Sequence, residues 1–93
     1  MFVHMSIHCP RLGKERFLID SMHRFGEAMK NQPGLEQAHT LKDQKTGHLI
    51  GLAIWDSKEN WLAARPAMLE AVKDDDFESW EDEPPVVYHL EVV

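Results

Sequence analysis

The stretch LIGLAIW, residues 49–55, carries no polar side chain at any position. Successive side chains of a strand point to opposite faces. As a strand, it therefore sends Leu49 and Ala53 one way and Ile50, Leu52 and Ile54 the other. Strands 1 and 4, described below, also carry apolar residues at both parities, and a sheet apolar on both faces must be covered twice. With 93 residues the chain makes one domain, residues 1–93. A chain of that length buries only about 60–65% of the surface it exposes when unfolded. Its helices can cover one face. A second copy, packed sheet to sheet, is the economical cover for the other, so a homodimer is expected.

The remaining elements follow from spacing. FVHMSIHC (residues 2–9) alternates in polarity and reads as the first strand. Pro10 and Gly13 break it. Between Lys14 and Asn31, Leu18, Met22, Phe25 and Met29 recur as one helical stripe, with Phe17 and Ala28 beside it. NQPG ends this helix, because Pro33 cannot continue it and Gly34 permits a turn. LEQAHTLKD and HLIGLAIWD form a hairpin around QKTG. Ser57 suits the N-cap of the next helix. Pro66 predicts a kink or break near Arg65, with Met68, Leu69 and Val72 continuing the buried side. DDDFESWEDEPP reads as an irregular, solvated acidic flap that folds back to bury Phe77 and Trp80. VVYHLEVV is the last strand. The order β-α-β-β-α-β predicts an α+β, ferredoxin-like domain: a four-stranded antiparallel sheet with both helices on one face.

Composition excludes several functions. A formal net charge of −6 argues against nucleic acid, whose phosphates need clustered Lys and Arg. No apolar run approaches the roughly 20 residues of a membrane span. No basic region followed by an apolar run marks export. Cys9 is the only cysteine, so no intrachain disulfide forms and a cytoplasmic location is expected.

Three segments resemble a known family. They are the helix start at Gly13, Lys14, Glu15 and Phe17, the run QPGLEQAHTLKD after the first helix, and GLAIWDSKENW, in which Trp55 closes strand 3 and Ser57 caps helix 2. Over nearly its whole length the chain resembles the antibiotic biosynthesis monooxygenase-type dimeric α/β barrels. That resemblance implies a homodimer with a small-molecule pocket in each subunit. It also implies a monooxygenase that needs no cofactor and acts on an aromatic or quinol-like substrate. The alternative is a non-catalytic small-molecule-binding dimer of the same fold. The haem-degrading branch of the family uses a strand-1 Asn, a helix-2 Trp and a later His. Those positions fall here on Ser6, Ala64 and near Asp74, which predicts no haem breakdown by that mechanism.

His4, Ser6 and His8 share one face of strand 1, and Val3, Met5 and Ile7 share the other. Three readings compete. A metal site is disfavoured because His4 and His8 lie about 13 Å apart along one strand, too far to share an ion. In the second reading the trio lines the helix-side pocket, where His8, or else His4, accepts a proton and Ser6 positions the ligand. Burial is then expected to lower the pKa of the imidazole. In the third, Val3, Met5 and Ile7 face the helices and the histidines are scaffold. Pattern alone favours the third, whereas the register of the resemblance favours the pocket. Met22, Phe25 and Trp61 would line such a pocket from the helices. Trp55 is a structural residue that is also a candidate ligand contact.

Overall fold

The computed structural model describes residues 1–93. Its elements are β1 (Phe2–His8), α1 (Glu15–Met29), β2 (Leu35–Lys42), β3 (Leu49–Trp55), α2 (Lys58–Ala71), α3 (Phe77–Trp80) and β4 (Val86–Glu91). The sheet order is β2-β3-β1-β4, with every neighbouring pair antiparallel. This is the ferredoxin-like arrangement, with one short helix added. α3 lies within the segment expected to be irregular, and its ends are made by the chain itself: the Glu81 N–H donates to the Phe77 carbonyl at 2.9 Å.

Phe2 and Met29 join Ala53, Trp55, Trp61, Ala64 and Met68 in one core cluster. Both helices therefore pack on the face that presents Phe2 and, by alternation, His4, Ser6 and His8. That decides between the two faces of strand 1. The same face of β3 presents Leu49, Gly51, Ala53 and Trp55. Opposite them in register on β4, Val87 pairs with Ser6 and His89 with His4.

The reverse face is formed by the other parity. Val3, Met5 and Ile7 pair with Ile54, Leu52 and Ile50 on one side and with Leu90, Tyr88 and Val86 on the other. No helix of the chain lies over it, and Val86, Tyr88 and Leu90 are each more than 40% exposed. The expectation of apolar side chains on both faces holds.

Local chemistry explains the element ends. Gly34 takes φ +89°, and a Cβ there would collide with Asp56 and Asn60. Ser57 caps α2 as expected, its hydroxyl accepting from the Asn60 N–H at 3.2 Å. Of the kink or break expected at Pro66, the break does not occur: α2 is continuous from Lys58 to Ala71. The carbonyl that loses its partner belongs to Leu62, which is half exposed and can turn to water. Ala64 and Met68, both buried on the opposite side, hold the helix across that gap. Leu69 also departs from expectation, since it is half exposed while Met68 and Val72 are buried.

Candidate functional site

A cavity of about 910 Å³ lies between the helices and the sheet, within the range of small-molecule sites. Its floor is the helix-facing side of β1, where His4, Ser6 and His8 stand, together with Gly51 and Ala53 of β3 and His89 of β4. Met22 and Phe25 of α1 and Trp61 of α2 form apolar walls. The sequence placed these six side chains (His4, Ser6, His8, Met22, Phe25 and Trp61) at a common site, and the fold brings them together. Trp55 is a correction. It is fully buried in the core beside Phe2 and does not line the cavity. It closes β3 at the register pair Phe2–Trp55, one end of the sheet.

The polar centre of the floor is one connected chain of side chains. His8 Nδ1 meets the carboxylate of Glu81 in a short hydrogen bond, and His8 Nε2 lies 2.9 Å from Ser6 Oγ. An ionised carboxylate only accepts, so Nδ1 carries the hydrogen. In the neutral imidazole Nε2 is then the unprotonated nitrogen, and the Ser6 hydroxyl can donate to it. Glu81 is 5% exposed, which corrects its placement in a solvated acidic run. Its position follows from the chain on either side. The Arg11 N–H donates to the Trp80 carbonyl, the Asp82 N–H to the Cys9 carbonyl, and Arg11 Nε to the Glu81 carbonyl. These bonds strap the segment after α3 to the end of β1, beside His8. Trp80 stacks on Phe17 of α1 at 5.6 Å, so the flap does fold back over the domain, leaving Phe77 and Trp80 half-buried.

Gly51 matters for the same group. It sits opposite Ser6 in register, and a Cβ there would lie 2.9 Å from Ser6 Oγ and 3.4 Å from Met22 Cε. The missing side chain is what gives the serine hydroxyl its room.

His4 has a different environment. Its ring stacks on Trp61 at 5.2 Å and meets His89 at 5.3 Å, and Trp61 meets His89 edge-on at 4.8 Å. Burial first, then the charges of His89, Arg65 and His8, lower its pKa to about 4. The depressed imidazole expected from the sequence is thus found at His4. So weak a base is poorly matched to proton abstraction near neutrality. His4 presents a flat, uncharged ring to the cavity, whereas His8 Nε2 lies within hydrogen-bond reach of Ser6 Oγ.

Two polar clusters lie apart from this centre. Asp75 accepts from the Ser21 hydroxyl at 2.6 Å and from Arg24 at 2.7 Å. Burial alone would raise its pKa, but the serine and the guanidinium outweigh it and hold the carboxyl below its usual value. Cys9 Sγ lies 3.4 Å from His48 Nε2 and donates to Glu83 at 3.3 Å. Burial and the Glu83 carboxylate raise the thiol's pKa, which keeps it protonated and unreactive. No three His, Cys, Asp or Glu side chains converge on a point that could hold a metal ion.

Sequence reasoning missed Glu81 and His89. His89 shares the helix-facing parity of the last strand, a signal that a register could have used. Glu81 had only its neighbour Trp80, whose need for burial implies that the adjacent residue also approaches the domain.

The fold and its cavity define a ferredoxin-like α+β protein with a single-layer sheet and a site between sheet and helices. No family model and no curated protein matches the chain. Solved structures do. Rv0793 from Mycobacterium tuberculosis superposes with a TM-score of 0.85 at 14% identity, over 99% of this chain and 94% of that one. An antibiotic biosynthesis monooxygenase gives a TM-score of 0.81 at 12% identity, over 100% and 99%. A variant of MhuD with two manganese protoporphyrin IX molecules bound per active site gives 0.78 at 17% identity, over 100% and 95%. At these identities the likeness is one of fold. The chain has the fold of the antibiotic biosynthesis monooxygenase proteins. No helix is long and apolar enough to cross a membrane.

Proposed function

We propose that the protein is a cofactor-independent monooxygenase of an aromatic, quinol-like small molecule, working as a cytoplasmic homodimer with one site per subunit. The observation that supports this most is His8: its Nδ1 is held by buried Glu81, and its Nε2 is presented to an apolar cavity. A quinol bound between Met22, Phe25 and Trp61 places one hydroxyl at Ser6 and His8. His8 Nε2 takes the phenolic proton. The resulting anion is electron-rich enough to reduce dioxygen directly. One oxygen atom joins a ring carbon and the other leaves as water, with the abstracted proton returned to it. The quinol is thereby oxidised to a hydroxyquinone, its four electrons taken by dioxygen. The protein's part is to hold, orient and deprotonate.

The test is a thermal-shift screen of quinols and polyketide-like phenols followed by oxygen-uptake measurements on the ligands that bind. A ligand that binds only the native state raises its melting temperature. Uptake of one dioxygen per quinol is the expected result. Ligands that raise the melting temperature but consume no oxygen would replace the enzyme by the non-catalytic binder of the same fold.

A further inference from the structure

We propose that Ser6 is a nucleophile for acyl transfer, activated by His8 with Glu81 as its positioning residue, and that the cavity accepts small esters with an apolar acyl group. This goes beyond the oxygenase reading and needs no dioxygen.

A serine hydroxyl is a weak nucleophile until a base lies within hydrogen-bond reach and a third group orients that base. All three are present. Ser6 Oγ lies 2.9 Å from His8 Nε2, and His8 Nδ1 is hydrogen-bonded to the buried carboxylate of Glu81. Polarity runs in the required direction, because the carboxylate fixes the hydrogen on Nδ1 and leaves the Nε2 lone pair for the serine proton. Ser6 and His8 are two residues apart on one strand, so backbone geometry holds their Cα atoms about 6.6 Å apart. Arg11, bonded to the carbonyls of Glu81 and Glu78, ties the third member to the end of the same strand.

The surroundings suit an acyl group. Gly51 leaves the space beside Ser6 Oγ free of a side chain, and Met22 borders it. Phe25 continues the apolar wall. Ser6 Oγ attacks the ester carbonyl as His8 Nε2 takes its proton, forming the new C–O bond. The intermediate collapses with cleavage of the ester C–O bond, and His8 returns the proton to the departing alcohol. Water, deprotonated by His8 in turn, releases the acid and restores Ser6. His4, Thr40 and His89 line the same cavity as Ser6, and side-chain donors of this kind would stabilise the carbonyl oxygen as it gains charge.

The experiment is labelling with an alkyl fluorophosphonate under nitrogen, read by intact mass and peptide mapping. A single adduct on Ser6 is expected, absent in Ser6→Ala and slowed on the order of 10²-fold in His8→Gln and in Glu81→Gln. ¹⁵N NMR of the imidazoles separates positioning from mere packing. His8 should be the Nδ1–H tautomer in the wild type and lose that preference in Glu81→Gln. An unlabelled wild type, or label elsewhere than Ser6, overturns the proposal. Either result leaves oxygen uptake with quinols unaffected, so the two readings fail separately.

Discussion

At the scale of single residues, the site depends on which atoms are missing as much as on which are present. Gly51→Ala would put a methyl against Ser6 Oγ and push the hydroxyl from His8. Misplacement of a reacting group by about 1 Å can cost 10²-fold in rate, so this variant should bind ligand but turn it over roughly 10²-fold more slowly. Ligand titration beside initial rates checks it. His4 gives a pH prediction. Its folded pKa of about 4 lies below the unfolded value of 6.5. Between those values the unfolded chain binds the extra proton, so stability is complete above pH 6.5 and falls as pH drops towards 4. Urea melts of wild type and His4→Phe across that range should show the slope in the first and a flatter profile in the second. The face of His4, Ser6 and His8 was legible from alternation together with a register. Glu81 was not, because its partner lies 73 residues away and nothing local distinguishes it from the acids around it.

At the scale of elements, α2 shows how packing overrides a local signal. Pro66 removes one backbone hydrogen bond, yet the helix continues because Ala64 and Met68 are fixed in the core and the freed Leu62 carbonyl lies on the outer side. Pro66→Ala restores the bond and should stabilise the protein by about 1–2 kcal/mol, since the greater freedom of the unfolded chain offsets part of the gain. Thermal melts would show a higher melting temperature. An unchanged or lower value would mean that α2 packs around the proline ring itself. α1 was legible because its stripe repeats at helical spacing. Phe77 and Trp80 signalled that the acidic segment after α2 folds back, but its ordered path was not legible, because it comes from backbone bonds to Cys9 and Arg11 and from Trp80 against Phe17, all distant in sequence.

At the scale of the whole molecule, the reverse face of the sheet is an apolar surface that no element of the chain covers. Val3, Met5 and Ile7 continue through Ile50, Leu52 and Ile54 to Tyr88 and Leu90 without a covering element. Pairing two such faces is expected to bury roughly 2,000 Å² or more in total, the range of obligate homodimers. Sedimentation at micromolar concentration should find a dimer whose melting temperature rises with protein concentration. A stable, folded monomer would contradict this. The order of elements followed from hydrophobic periodicity and turn residues, and the antiparallel sheet from crossover handedness, whereas the cavity's volume depends on side-chain packing that none of these encodes.

The proposed oxygenase rests on His8 as the working base of the cavity. The most direct measurement is oxygen uptake with a quinol that binds, comparing the wild type with His8→Gln at equal ligand saturation. Glutamine keeps much of the hydrogen-bonding shape and removes the titratable nitrogen. Binding should be unchanged and turnover lower on the order of 10²-fold or more. Normal turnover by His8→Gln would contradict it and return the histidines of β1 to the scaffold.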